Sequence, residues 1–547
     1  MRLRRLSLIL GFLYLAFAFC VGTATALAAG KDDAALDVPP SGLAPPTAKL
    51  ADVLAAHDKA IGAPTAGAKN TVVEEWTFSD SGMAGTERLE RADLNYHSRI
   101  TEGPFVDRYG QYQGTRWHQD ANGFTTETSQ IDARSFYAVR VLEDAADPKN
   151  DVTMLGDSTG AHPAWVLQIK RSGYRHPEWI FYDKVTAQVV RVEFVGSRHR
   201  IVETYDDFRT TQGLTEPWRI HSSDGFSTND DDETLQSLAI GGPVDAADLA
   251  VPARGTPLLK LDAPSVTVPV TIAGDRIVIP VRMGGHTVDF IVDSGADGIV
   301  IDTDVVEALN IKQYGRTTNE TAGTYVESAV VLPKMMIGAL TLENVHAISL
   351  PFVAWTDAGT PIAGLLGFDF IADVVWHVDY LHGTMEALNP AGFIPPKNAR
   401  AFAVTFDDRV PTLGASIAGI NATALVVDTG ADRSTLFSAF AQAHVGRISD
   451  QGLGTAMQAA FPFVDDFYGV GGKVDFRPVQ AGPFVFGPWT FPKWLFYVTQ
   501  NAPSFEIEDY DGLIGQDFLR NFDLYLDYPH SKIYLAPNDR FRQRWPS

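Results

Sequence analysis

A chain of 547 residues is too long for one hydrophobic core and implies about three domains. Its 45% hydrophobic and 11% aromatic content is that of an ordinary globular protein. The net charge of −23, which becomes −26 once the three arginines at the extreme N-terminus are lost, argues against nucleic acid and anionic membrane surfaces as partners.

Arg2, Arg4 and Arg5 precede an apolar run from Leu6 to about Val21, and Ala26-Leu27-Ala28 offers a small-residue cleavage site. Residues 1–28 therefore read as a signal peptide cut after Ala28. Cys20 is the only cysteine and follows the bulky Phe19, which disfavours a lipid anchor. An exported protein without disulfides suits a bacterial periplasm, or secretion from it. No later stretch is apolar enough to span a membrane, so no stable insertion is expected after cleavage.

Residues 29–46, rich in Ala, Asp, Pro and Gly, read as a lead-in. Leu50, Val53, Leu54, His57 and Ile61 then follow helical spacing, with Gly62 as the stop and His57 as a core or boundary residue. From about 70 to 240 short β-rich runs alternate with turn signals. Thr71 to Phe78, Trp165 to Ile169, Trp179 to Tyr182 and Val189 to Phe194 predict an antiparallel meander. One helix followed by a long sheet resembles, at the level of architecture, the lipoprotein-carrier type of fold. That likeness alone does not imply lipid binding. Val251 to Pro257 reads as a linker that ends this N-terminal domain, 29–258.

The remainder repeats itself. Phe290-Ile-Val-Asp-Ser-Gly-Ala-Asp297 is echoed by Leu425-Val-Val-Asp-Thr-Gly-Ala-Asp432, at an offset of 135. Gly364-Leu-Leu-Gly-Phe-Asp-Phe370 is echoed by Gly512-Leu-Ile-Gly-Gln-Asp-Phe518, at an offset of 148. The second copy thus carries 13 extra residues between its motifs, assigned to loops. Two tandem lobes follow, 259–390 and 391–547, each of short strands with a brief helix at Gly367–Ala372 or Gly515–Asn521.

In each Asp-Ser/Thr-Gly turn a carboxylate emerges from a buried strand, glycine permits close approach of another segment, and the hydroxyl can bond across to the partner loop. With the strand before and the Ala-Asp and apolar-apolar-Gly elements after, these residues resemble pepsin-like and retroviral-type aspartic proteases. The Ala-Asp continuation is the more retroviral feature. The resemblance covers roughly 270–540 and implies a mostly β protein: two acid-protease, barrel-like lobes behind the helix-plus-sheet domain. It implies Asp293 and Asp428 as the catalytic pair, Ser294 and Thr429 as the cross-link, and Gly295 and Gly430 as providers of backbone amides. It places Asp297 and Asp432 where retroviral-type enzymes hold the substrate backbone.

Two such carboxylates cannot both ionise readily, so the pair shares one proton and titrates as a unit. It needs neither metal nor other cofactor, and no pair of histidines is spaced for zinc. Ala296 and Ala431 stand where pepsin-like enzymes often place a hydroxyl, which predicts an optimum nearer neutrality. Phe467 to Lys473 reads as a flap tip, with its lobe-one counterpart near Ala322 to Tyr325, so Tyr325, Tyr468 and Gly471 are candidate substrate contacts. One chain with both aspartates is expected to act as a monomer on an extended peptide.

Rival readings keep the same residues. The cleft could be a silent peptide- or lipoprotein-binding site, the N-terminal domain could carry an acyl chain, or it could occlude the cleft until removed. Gly156-Asp-Ser-Thr-Gly160 fits the serine-hydrolase elbow pattern but leads into a strand rather than a helix, and reads as a turn. Asp230 to Glu233 lacks calcium-loop spacing and reads as a solvated loop. Asn319-Glu-Thr and Asn421-Ala-Thr are glycosylation triplets of no consequence outside a glycosylating host.

Overall fold

The computed structural model describes residues 17–19, 36–62, 71–93, 95–127, 147–160, 162–172, 176–196, 199–273, 276–320, 324–352, 356–357, 360–407, 409–448, 467–469, 472–474, 476–499 and 510–545. The protein is mostly β. The expected leader, 1–28, lies outside these residues except at 17–19, and Gly471 lies outside them entirely. Among the described residues no helix is long and apolar enough to cross a membrane.

Among the described residues the N-terminal domain forms one 13-stranded antiparallel sheet. The chain runs outward from its central strand Thr71–Asp80 to the edge Thr125–Glu127, restarts at the opposite edge with Asp151–Asp157, and returns to pair Asp231–Ile240 with Thr71–Asp80. The helix Leu50–Ile61 buries Val53, His57 and Ile61, and stops at Gly62, which adopts a φ of 71°. Val53 packs among Leu167, Ile180, Tyr182 and Phe194. His57 Nδ1 contacts the Ala187 carbonyl at 2.8 Å. The hydrolase-elbow lookalike is only in part the expected turn: Gly156 and Asp157 close the strand Asp151–Asp157, and beyond it Ser158 N–H donates to Ala164 O, and Ala164 N–H to Ser158 Oγ. The expected loop at Asp230–Glu233 is overturned. Asp231 to Glu233 open a central strand, and alternation buries Asp231, Glu233 and Leu235 on one face.

Each lobe is built on its own sheet, and a third sheet joins them. Lobe one's sheet contains Arg276–Met283, His286–Val292 and Thr360–Leu366; lobe two's contains Val410–Ile417, Ile420–Val427 and Gly512–Ile514. Among the described residues the joining sheet has six strands and pairs Val375–Asp379 of lobe one with Phe522–Asp527 of lobe two. One apolar cluster runs through both lobes, from Ile279 and Phe290 to Leu425 and Phe518. Within each lobe the strand ending at the Asp motif lies parallel to the strand of the apolar-apolar-Gly motif, His286–Val292 beside Thr360–Leu366 and Ile420–Val427 beside Gly512–Ile514. The brief helices are Phe368–Ile371 and Gln516–Leu519.

The extra residues of the second repeat lie in sequence between a short helix and the strand that follows the expected flap. Helix ends Ala308 and Ala443 are 135 apart, whereas the next equivalent strands begin at Met335 and Phe484, 149 apart. The hairpin expected as lobe one's flap pairs Gln313–Glu320 with Thr324–Leu332. In lobe two the short strands Phe467–Gly469 and Gly472–Val474 pair as a hairpin.

Candidate active site

The parallel pairing sets each aspartate at the end of its strand, at the same level in the two lobes. Asp293 N–H donates to Leu366 O at 3.1 Å, and Asp428 N–H to Ile514 O at 3.0 Å. The loops then cross. Ser294 N–H donates to Thr429 Oγ1 and Thr429 N–H to Ser294 Oγ, both at 2.9 Å. The hydroxyls in turn donate to the strand ends of the opposite lobe, Ser294 to Val427 O at 2.7 Å and Thr429 to Val292 O at 2.8 Å. All four bonds are buried, and each hydroxyl is both donor and acceptor. Gln516 Nε2 adds a bond to Thr429 O at 2.8 Å, and the Tyr528 hydroxyl lies beside Ser294.

This crossing sets the carboxyls face to face. Gly295 N–H donates to Asp293 Oδ1 at 2.9 Å, while Gly430 and Ala431 donate to Asp428 Oδ1 at 2.8 and 2.9 Å. Each glycine also abuts the opposite carboxyl. A Cβ on Gly430 would lie 2.4 Å from Asp293 Cγ, and one on Gly295 2.7 Å from Asp428 Cγ. No other residue type fits at either position. Both aspartates are fully buried, and their Oδ2 atoms receive no hydrogen bond from a described donor.

Burial and the facing Asp428 carboxyl push Asp293 well above the usual carboxylate range. Burial, offset by the bonds from Asp293, Gly430 and Ala431, leaves Asp428 pushed up to about 6. The pair thus retains a proton into the mildly acidic range.

The next aspartates lie at the lobe junction. Asp297 Oδ2 is 3.6 Å from Arg409 Nη2 of lobe two, and Asp432 Oδ1 is 3.4 Å from Arg276 Nε of lobe one. The two pairs are pseudo-equivalent, each arginine standing at the start of its lobe's first Asp-bearing hairpin. Arg409 also hydrogen bonds Asp120 of the N-terminal domain and lies 3.8 Å from Asp369 Oδ1. Burial, then the Asp120 charge, push Asp369 up to about 7. A cavity of about 60 Å³ opens at this three-way joint, among Asp107, Asp120, Asp297, Asp369 and Arg409.

Asp369 and Asp517 do matching work in the two lobes. Asp369 Oδ2 accepts from Ile299 N–H at 3.1 Å, and Asp517 Oδ1 from Ser434 N–H at 2.8 Å, each six residues beyond its lobe's Asp293 or Asp428. They hold the loop after each motif against the brief helix.

Of the flap residues, Tyr325 is buried and packs in one cluster with Ala296 and Val300. Tyr468 lies on the strand Phe467–Gly469. The structure therefore brings together Asp293, Ser294, Gly295, Asp428, Thr429 and Gly430, and places Asp297 and Asp432 in cross-lobe ion pairs beside them. Arg276, Arg409, Asp369, Asp517, Gln516 and Tyr528 were not singled out from the sequence. Asp369 and Asp517 stood inside the quoted repeat, and the arginines precede repeated Val/Ile-Pro strands; both signals were available.

Among the described residues no group of three or more His, Cys, Asp or Glu could hold a metal ion. Residues 279–370 match the family model of aspartyl proteases. That segment contains Asp293 through Asp369. No curated protein matches the chain. Similar solved structures include an aspartic proteinase from Irpex lacteus (14% identity, 51% of this chain and 98% of that one, TM-score 0.31). Basic 7S globulin from soybean is similar over the same share (11% identity, 51% and 96%, TM-score 0.31). A LolA superfamily protein from Nitrosomonas europaea is similar over 37% of this chain and 98% of its own (12% identity, TM-score 0.25).

Proposed function

We propose that this chain is an exported aspartic endopeptidase that hydrolyses peptide bonds with a water activated between Asp293 and Asp428. The observation that carries the reading is the reciprocal Ser294–Thr429 crossing, which holds two buried carboxyls face to face. A pair retaining one proton has both partners that hydrolysis needs. The ionised carboxyl takes a proton from water as the oxygen attacks the scissile carbonyl, and the protonated carboxyl donates to the carbonyl oxygen. The tetrahedral diol then collapses as a proton passes to the leaving amine, and the shared proton is restored. Asp297 and Asp432 flank the site and would receive the substrate backbone, with the flap hairpins covering it. Both lobes lie on one chain, so a monomer suffices. The apolar leader would carry the protein across the inner membrane to the periplasm or beyond.

The test is hydrolysis of a diverse peptide library by residues 29–547, beside Asp293→Asn and Asp428→Asn. Cleavage by the parent and by neither variant supports the mechanism. Cleavage that survives both substitutions excludes it.

A further inference from the structure

We infer that the N-terminal domain positions the lobe-one flap, with Asn229 as the positioning residue; the inference rests on the peptidase reading. The flap's outer strand, Gln313–Glu320, is the edge of its sheet, so alternate N–H and C=O groups face away from its hairpin partner. The N-terminal domain covers that edge. Asn229 Nδ2 donates to Thr318 O at 2.8 Å, and Thr318 N–H donates to Asn229 Oδ1 at 2.7 Å. One side-chain amide thereby substitutes for a neighbouring strand. Arg316 N–H donates to Ser81 O at 2.8 Å, and the Ser81 and Thr317 hydroxyls meet at 3.0 Å.

The amide is held before it meets the flap. Asn229 is 2% exposed, its Nδ2 also donates to Asp224 Oδ2 at 2.9 Å, and Thr228 Oγ1 reaches its Oδ1 at 3.1 Å. Thr228 Oγ1 also meets Thr318 Oγ1 at 2.5 Å. Its carrier, the single turn Ser227–Asn229, is braced by Phe226 N–H on Asp224 Oδ1 at 3.0 Å. The pin acts close to the flap tip. The neighbouring flap pair is Asn319 with Tyr325, and Tyr325 packs with Ala296 of the dyad loop. The N-terminal domain is thus linked through the flap hairpin to the apolar cluster that contains the residue three beyond Asp293. The N-terminal domain thereby restrains the lobe-one flap one residue pair from the Asn319–Tyr325 step.

The test uses residues 29–547 with Asn229→Ala, and Thr228→Val as a milder second variant. Amide exchange of the 313–326 segment and peptide kinetics are measured on each. Loss of two hydrogen bonds of about 1 kcal/mol each predicts exchange at Thr318 faster by roughly tenfold or more. KM rises by a similar factor for Asn229→Ala and less for Thr228→Val, while kcat moves little. Unchanged exchange in both variants overturns the pin. Faster exchange with unchanged KM overturns the positioning role. A parent protein that cleaves no peptide defeats the peptidase reading instead, and the exchange result still decides whether Asn229 holds the flap.

Discussion

Arg409 of lobe two reaches Asp297 of lobe one at 3.6 Å while adopting a φ of 72°, a backbone region that costs a side-chain-bearing residue of order 1 kcal/mol or more. The strain is retained at a position where one guanidinium answers Asp120, Asp297 and Asp369, three carboxyls from two domains. The arginine side chain is 12% exposed, so little solvent shares the charge. Arg409→Met keeps the apolar stem and removes the cation, leaving buried carboxyls facing one another. Breaking a buried pair in this way costs about 3–5 kcal/mol. The expected loss, read by urea unfolding, is larger at about pH 8 than at about pH 5, because the stranded carboxyls escape by protonation at the lower pH. Asp120→Asn added to Arg409→Met recovers part of the neutral-pH loss. Equal losses at both pH values would count against the network.

Stability of the whole protein should fall as the medium becomes more alkaline. Burial pushes Glu327 up to about 8, and burial with the Asp120 charge pushes Asp369 up to about 7. Both values exceed those of the unfolded chain, so the native state binds more protons between about pH 4 and pH 8, and stability declines through that window. The dyad contributes in the same direction. At ~1.4 kcal/mol per pH unit, Glu327 and Asp369 together set an upper bound on the order of 9 kcal/mol. Urea midpoints should be higher at about pH 5 than at about pH 8. Glu327→Gln should flatten the dependence and raise the midpoint at the higher pH. A midpoint that rises with pH refutes the argument.

Activity should follow the same groups. Hydrolysis needs one proton on the pair, and both carboxyls are shifted upward, so the rate persists toward neutrality and falls once the shared proton leaves. Turnover at about pH 6 should match or exceed that at about pH 3 on one peptide. Full activity at about pH 2 with none at about pH 6 would falsify the proposed environment of the dyad.

The crossing between the loops gives a sharper test of geometry. Thr429→Val removes the acceptor for Ser294 N–H and the donor to Val292 O while preserving shape. Two buried backbone groups lose their partners, at about 1–3 kcal/mol each. Thr429→Ser keeps both bonds and loses one methyl, about 1 kcal/mol. The expected ranking in thermal stability and in turnover is parent, then Thr429→Ser, then Thr429→Val far below. Equal behaviour of the two variants would mean that the hydroxyl is not what aligns the lobes.

Much of this architecture is legible in the chain because it is written twice. The two Asp-Ser/Thr-Gly phrases and the two Gly-flanked apolar phrases announce the lobes, and alternation announces the N-terminal sheet. The helix Leu50–Ile61 follows from its apolar stripe and Gly62. What stays hidden depends on contacts distant in sequence. Arg409 reads as a surface charge at the head of a strand until Asp120, 289 positions earlier, is folded beside it. Asp231 and Glu233 read as a solvated run because charge outweighs alternation in a short window, whereas the sheet buries every second residue. Asn229 shows no pattern at all, since one side chain pairing with a backbone leaves no periodicity.

The least legible contact bears on whether the N-terminal domain is separable. Phe124, on the hairpin between Thr115–Gln119 and Thr125–Glu127, belongs to the main apolar cluster of the two lobes. Its ring meets Phe368 edge-on at 5.1 Å, and Phe368 contacts Tyr528, whose hydroxyl lies beside Ser294. The Arg254 guanidinium lies over the Phe124 ring, 3.5 Å from its centre. Asn122 pairs with His346 through two bonds of 2.9 Å. A domain that contributes a buried aromatic to another domain's core unfolds with it. Phe124→Ala should cost about 3–5 kcal/mol. The loss should appear on both sides of the joint: amide exchange should quicken in 360–371 as well as in 115–127, and turnover should fall with it. Quickening confined to 115–127 with undiminished turnover would show that the lobes stand without the N-terminal sheet.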